Sequence, residues 1–195
     1  MAIYSFKGFK PVIKSSSFVH PTASVIGDVH IGENVYVGPG AAIRGDWGTI
    51  VIEDGCNIQE NCIIHMFPGI TVTLKKGAHI GHGAVLHGVT IGENCLIGMN
   101  AVIMDEVVLE KECIVGALAF VKAKSVFESR SLIVGNPAKK IKSISDEMID
   151  WKTKGTKLYQ ELPKECYESL AICEPLRNIE ENRPKHSKSY KIWKK

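Results

Sequence analysis

The chain has 195 residues, of which 45% are hydrophobic and 23% charged, ordinary values for one folded core and incompatible with a largely disordered protein. Its longest apolar runs are four or five residues, too short to span a bilayer, and the start Met1-Ala2-Ile3-Tyr4-Ser5-Phe6-Lys7 has no signal-peptide core, so cytoplasmic residence is expected. The formal charge is +3, but five lysines fall within residues 185–195 and the rest of the chain is net acidic, which argues against nucleic acid as a partner.

Residues 1–18 read as an N-terminal lead-in strand. From Val19 onward an aliphatic residue returns every six positions: Val19, Val25, Ile31, Val37, Ile43. After a three-residue insertion the series resumes at Ile52, Ile58 and Ile64. After a four-residue insertion it resumes at Leu74, Ile80 and Leu86. One position is then skipped, and the series runs from Ile91 to Val121. A small residue sits two positions before most of these, for example Ala23, Ala41, Cys56, Cys62, Ala78, Ala84, Cys95, Ala101 and Cys113.

Residues i and i−2 share one face of a strand. A unit with one bulky and one small inward residue cannot bury its face alone and must stack on copies of itself. Three units make an 18-residue triangular coil, so residues 19 to about 125 predict roughly six coils. In so narrow a prism the inward cysteines read as inert buried thiols.

Leu132 to Lys140 reads as a final strand and turn that completes a unit over 19–140. Residues 141–184 read as a helical extension. Ser145 can cap a helix within 145–172, with Asp146 and Glu147 in its first turn. Met148, Trp151, Leu158, Leu162, Cys166 and Leu170 form a stripe expected to pack on the prism, and Gly155 and Pro163 are expected to break the helix into pieces. Residues 185–195 read as a basic, mobile tail.

Register places the histidines. Assigning repeats in turn to three faces puts Arg44, His65 and His87 in one outward column. His65 and His87 are then neighbours on successive coils, about 4.8 Å apart at the backbone. Two imidazoles so placed can share a tetrahedral metal ion. His82 falls at a corner, five residues from His87, too far to reach that ion in its own chain. It can reach an equivalent ion on a neighbouring copy, and three such contacts close a ring, which predicts a homotrimer. His79 points outward on another face and reads as a bystander near the interface.

These residues carry a family resemblance. The repeat resembles that of left-handed parallel β-helix proteins. Arg44-Gly45-Asp46, Asn57-Ile58-Gln59-Glu60 leading to Ile64-His65, Gly81-His82, His87-Gly88 and Ile97-Gly98-Met99-Asn100-Ala101 resemble the γ-class carbonic anhydrases.

That resemblance implies zinc, iron or cobalt on His65 and His87 of one chain and His82 of the next. It implies an intersubunit ion pair of Arg44 with Asp46, a Gln59 that contacts metal-bound water, and Asn57 as its polar neighbour. Trp47 stands where the family prototype has glutamate, and Met66-Phe67-Pro68 is short and apolar, so a proton-shuttling carboxylate is absent from both places. The extension, with Trp151, Gly155, Tyr159-Gln160, Glu174-Pro175-Leu176-Arg177 and Glu181-Asn182-Arg183-Pro184, is similar to that of bacterial phenylacetate-degradation and carnitine-operon proteins.

The implied function is water activation for hydration of CO2 to bicarbonate or for hydrolysis of an acyl-CoA thioester. The alternatives are a hexapeptide acyltransferase, with one histidine as general base, and a non-catalytic accessory protein of a CoA-thioester pathway.

Overall fold

A computed structural model describes residues 2–193. The six-residue period becomes a triangular solenoid of short parallel strands, each paired with the strand one coil away. One face stacks Phe18–Val19, Tyr36–Val37, Asn57–Ile58, His79–Ile80, Leu96–Ile97, Ile114–Val115 and Ser131–Gly135. A second carries Ile63–His65, Val85–His87, Val102–Ile103 and Phe120–Val121, and a third carries Thr71–Leu74, Thr90–Ile91, Val108–Leu109 and Val126–Phe127. The strands Ser24–Ile31 and Ala42–Ile52 run through a corner and join the second face to the third. Residues 2–18 belong to the solenoid: Ala2–Tyr4 pairs with Ser24–Ile26, and Val12–Ile13 with His30–Ile31.

The inward aliphatics from Val19 to Val121 and Ile133 form one buried cluster with the small residues between them. Cys56, Cys62, Cys95 and Cys113 are buried and free. Burial pushes the Cys56 thiol up to about 12 and the Cys62 thiol to about 11, so both stay protonated and unreactive at neutral pH. Gly98 shows how tightly the coils are stacked: a Cβ there would lie 2.4 Å from the Ala117 backbone nitrogen.

The chain then turns through the antiparallel hairpin of Ser131–Gly135 with Ala138–Ser143 into a helix, Asp146–Ser169. Ser145 caps it, its hydroxyl accepting from the Met148 amide. The expected breaks at Gly155 and Pro163 do not occur: one helix of 24 residues runs through both. Pro163 is buried, and its packing offsets the lost backbone hydrogen bond. The helix is about 36 Å long and spans the seven-stranded face, which measures about 29 Å at strand spacing. Met148 packs with Ile114 and Ile144 near one end. Tyr167 meets Phe18 near the other, its hydroxyl donating to the Ser17 carbonyl.

The packed side of the helix differs from the predicted stripe. Its buried residues are Met148, Lys152, Thr156 and Pro163, whereas Leu170 is exposed. Lys152 is 2% exposed, and its ammonium donates to the Asn94 carbonyl (2.8 Å), the Asn94 side-chain oxygen (2.6 Å) and the Gly77 carbonyl. No helix of the described residues is long and apolar enough to cross a membrane.

The C-terminal segment lies against the helix. Trp151 Nε1 donates to the Lys191 carbonyl, the Tyr190 hydroxyl donates to the Trp151 carbonyl, and Lys188 pairs with Glu161 and Glu165. Residues 188, 190 and 191 of the tail expected over 185–195 thus contact the helix; Lys194 and Lys195 lie outside the described residues.

Lys152 makes the docking of the helix pH-dependent. Burial pulls its ammonium down to about 8 from 10.5. Between those values the unfolded chain binds more protons, so stability rises with pH across that window. Relative to Lys152→Met, the wild-type protein is expected to gain up to about 3 kcal/mol between pH 7.5 and 10.5. Urea unfolding at both pH values measures the difference, and a constant gap between the two proteins would contradict it.

Candidate functional site

Parallel pairing aligns His65 with His87, and their rings lie 5.3 Å apart between centroids. Both stand outward on the second face, as register predicts. Each is held by a carboxylate from another coil. His65 Nε2 bonds Asp46 Oδ1 at 3.0 Å, and His87 Nδ1 bonds Asp105 Oδ1 at 2.6 Å. The other oxygen of Asp46 accepts from Arg44 Nη1 at 2.6 Å, so Arg44 and Asp46 pair within one chain.

The Asp46 carboxyl is held below its ordinary value. Burial alone would raise it, but hydrogen bonds from His65 and Arg44, with the Arg44 charge, outweigh that. Trp47 packs beside His65 at 5.2 Å and Phe67 meets the edge of His87 at 4.8 Å. Trp47 and Phe67 are both about half exposed, and Ile63 and Met99 are similarly exposed. The insertion after Ile64 also supplies Met66, which is fully buried and fills the prism where the repeat is interrupted.

His82 lies at the corner between the first and second faces. Its Nδ1 bonds the Glu60 carboxylate, and its side chain is 46% exposed. The three histidines therefore share one pattern: one ring nitrogen on a carboxylate, and the other (Nδ1 of His65, Nε2 of His87 and His82) without a protein partner among the described residues. Within one chain, no group of three or more His, Cys, Asp or Glu side chains among the described residues is placed to hold a metal ion.

Asn57 is on the first face and Gln59 at the corner just beyond it, and both are buried, at 0% and 2% exposure. Gln59 Nε2 donates to Asn57 Oδ1 at 2.9 Å and lies 2.7 Å from His79 Nε2. They are not brought to the His65–His87 pair of their own chain. Pairing of Ile58 with Ile80 puts Gln59 and Glu60 one coil before Gly81 and His82, so the Gln59 segment accompanies His82.

His79 is no bystander. The helix covers it: His79 Nδ1 bonds the Thr156 hydroxyl, and Tyr159 packs edge-on at 5.0 Å. Burial first, then the nearby charges of Lys152 and His82, push its imidazole down to about 3, so it is neutral. A neutral ring that accepts from Gln59 at Nε2 carries its proton on Nδ1 and donates to Thr156. The Asn57 side-chain nitrogen is buried with no hydrogen-bond partner.

Sequence reading missed three parts of this arrangement: His79, Glu60 and Asp105. The signal for the two carboxylates was the coil length. Asp105 follows His87 by 18 residues and Glu60 precedes His82 by 22, in each case one coil away.

Asp46 gives a test of this geometry. Its folded value is depressed, so its stabilising contribution is complete above the unfolded value of about 4 and is lost as pH falls through the lower folded one. An Asp46→Asn protein is expected to be less stable than wild type at pH 7, with the deficit shrinking below about pH 4. Paired unfolding curves measure it; a deficit that is the same at pH 7 and pH 3 would remove the contacts to Arg44 and His65 as its cause.

Residues 10–45 and 88–123 match the family model described as bacterial transferase hexapeptide (six repeats). The chain is 46% identical over 185 residues to the carnitine operon protein CaiE of Escherichia coli K12, covering 95% of this chain and 94% of that protein. Among solved structures it is similar to a hexapeptide transferase family protein from Anaplasma phagocytophilum, with 31% identity, TM-score 0.81, and 84% and 97% of the two chains covered. It is also similar to an acetyltransferase candidate from Bacillus cereus, with 30% identity, TM-score 0.84, and 87% and 98% covered. The solenoid, its C-terminal helix and these likenesses together place the chain in the hexapeptide-repeat β-helix family, among the CaiE-like proteins.

Proposed function

We propose that the chain serves carnitine metabolism as a homotrimer that handles coenzyme A thioesters. Its centres would lie between protomers, each formed by His65 and His87 of one chain and His82 of the next. The observation that carries this reading is the shared pattern of three imidazoles, each oriented by a carboxylate with its second nitrogen free. Two further features support assembly at this face. His82 stands exposed at a corner, and the half-exposed rings of Trp47 and Phe67 pack on His65 and His87; exposed apolar side chains of this size beside one another are a usual mark of an interface.

The donor set suits a divalent ion, because metal-ligating histidines ordinarily give their other nitrogen to a carboxylate or carbonyl. His65, His87 and the neighbour's His82 would hold zinc, iron or cobalt, and such an ion, when bound, supplies hydroxide at neutral pH. The chain's own residues do the remaining work. Asp46, Asp105 and Glu60 fix the ring planes. Trp47 and Phe67 would shield the face from water once a neighbouring copy covers them. Gln59, with its amide nitrogen committed to Asn57 and His79, keeps its carbonyl oxygen to accept a hydrogen bond from a nucleophile or substrate. The same centre could serve CO2 hydration, which lacks here the carboxylate that would export its proton.

A second reading is favoured by the comparisons, since the family model and both similar structures carry a transferase description. In it, a single histidine–carboxylate pair acts as general base for acyl transfer from coenzyme A. His87, held by Asp105, has the geometry for this, with Nε2 free to take the acceptor's proton. An accessory role, stabilising or stimulating a partner enzyme, would use neither chemistry.

The readings separate by mutation and mixing. If the metal centre is shared, His65→Ala and His82→Ala trimers each lose bound metal and acyl-CoA hydrolysis, and refolding the two together restores part of both. If His87 is a lone general base, acyl transfer falls at least about 10²-fold in His87→Ala but survives in His65→Ala and His82→Ala. Carnitine-pathway flux supported equally by wild type and His87→Ala would leave only the accessory role.

A further inference from the structure

A groove lies along the helix beside the returning C-terminal segment, away from the buried residues Lys152 and Thr156. It has a volume of about 680 Å³ and is lined by Trp151, Tyr190, Trp193, Glu147, Asp150, Lys154 and Lys191, together with Leu158 and neighbouring residues of the C-terminal segment. The Trp151 ring stands 5.7 Å from Tyr190 and 5.7 Å from Trp193, at interplanar angles of 35° and 57°. The polar atoms of two of these rings are already committed: Trp151 Nε1 to the Lys191 carbonyl and the Tyr190 hydroxyl to the Trp151 carbonyl. What these rings offer a ligand is therefore their π faces. Glu147 and Asp150 put negative charge on the groove and Lys154 and Lys191 positive charge; Asp150 is paired with Lys154 at 2.6 Å, which leaves Glu147 as the carboxylate facing a cation.

The wall of this groove is built, not incidental. Gly155 lies in the middle of the helix, where glycine costs about 1 kcal/mol relative to alanine. A Cβ at that position would lie 2.9 Å from the Tyr190 hydroxyl, so the glycine makes room for the returning segment. Trp193 packs on the Ile114, Ile144 and Met148 cluster, and Lys188 is held between Glu161 and Glu165.

We infer that this groove binds a quaternary ammonium ligand, of the class of trimethylammonium carboxylates. A trimethylammonium group has no N–H to donate, so a carboxylate cannot grip it by hydrogen bonds. Aromatic faces attract it through the ring quadrupole, and nearby carboxylates add long-range attraction. An ordinary ammonium would instead favour carboxylates and carbonyls. Lys191, in the same lining, supplies a cation for the carboxylate end of a zwitterion. The choice of carnitine as the particular zwitterion rests on the carnitine reading proposed above; the ammonium chemistry rests on the groove alone. The groove is on the helix, away from the second face that carries His65 and His87, so ligand binding can be measured without reference to catalysis.

Isothermal titration of the full-length protein tests the inference with L-carnitine, tetramethylammonium, choline, the primary-amine analogue 4-amino-3-hydroxybutyrate and 3,3-dimethylbutanol, the neutral isostere of choline. Saturable binding of L-carnitine, tetramethylammonium and choline is expected, with the primary amine weaker than carnitine and the neutral alcohol weaker than choline by about tenfold or more. Trp151→Leu should weaken carnitine about tenfold. Gly155→Ala, which favours the helix but displaces Tyr190, should do the same while the solenoid and helix persist by circular dichroism. Equal binding of choline and its neutral isostere, or carnitine binding unchanged in both variants, would overturn the inference. So would the absence of any binding by the three quaternary ligands. Tetramethylammonium binding without carnitine binding would retain the cation site and remove the carnitine assignment. Loss of the histidine chemistry in His65→Ala with these titrations intact would separate the two sites.

Discussion

The narrowness of the triangular prism is the constraint on which the rest of the molecule depends. Each coil has room for a few inward side chains per face, so a bulky aliphatic must alternate with alanine, valine or cysteine. Because side chains alternate across a strand, a slip of one residue would turn the aliphatics outward. Register is therefore fixed along the whole stack, and it fixes columns of outward residues as firmly as it fixes the core. His65 lies beside His87 because Ile64 lies beside Leu86. The carboxylates that hold these rings are drawn from the same stack, one coil above or below.

The irregularities act against this background of repetition. The strand Ala42–Ile52 runs through a corner and carries Arg44, Asp46 and Trp47 to the flank of His65. The next insertion sends Met66 inward and Phe67 outward over His87. The second fills its void with Met66, and each places an aromatic ring on a histidine. This local environment explains why the second face is more apolar around the histidines than a solvated surface requires, and why Asp46 keeps its charge although it is nearly buried. Its two partners, His65 and Arg44, together outweigh the cost of burial.

The solenoid was legible because its determinants are local and periodic: the spacing of Val19, Val25 and Ile31 already implies the coil. The His65–His87 pair followed from the same count. What could not be read was the destination of the helix. Its apolar stripe suggested that Trp151, Leu158 and Leu170 face the prism, but the packed side presents Lys152 and Thr156. The reason lies in what it covers. The outward column of the first face holds Asn57 and His79 and the corner beyond it holds Gln59, so the helix meets polar groups that need partners. A buried amide or imidazole without a hydrogen bond would cost on the order of 1–3 kcal/mol. Sequence periodicity weighs hydrophobicity, whereas this interface is selected by satisfaction of buried polar groups.

That polar layer also links the helix to the corner that carries His82. Thr156 sets the proton position on His79, and His79 sets the orientation of the Gln59 amide beside Asn57. A helix that packed by hydrophobic contact alone could slide by a turn at little cost. This one cannot, because each step would part Lys152 from Asn94 and Thr156 from His79 at once. The extension is thus tied to the corner through directional bonds, and through Trp151 and Gly155 it holds the C-terminal segment alongside. The helix therefore carries two different kinds of chemistry, a hydrogen-bonded layer toward the prism and an aromatic groove beside the C-terminal segment. That division explains why Trp151 and Leu158 lie off the packed side: they serve the groove, which periodicity alone assigned to the core.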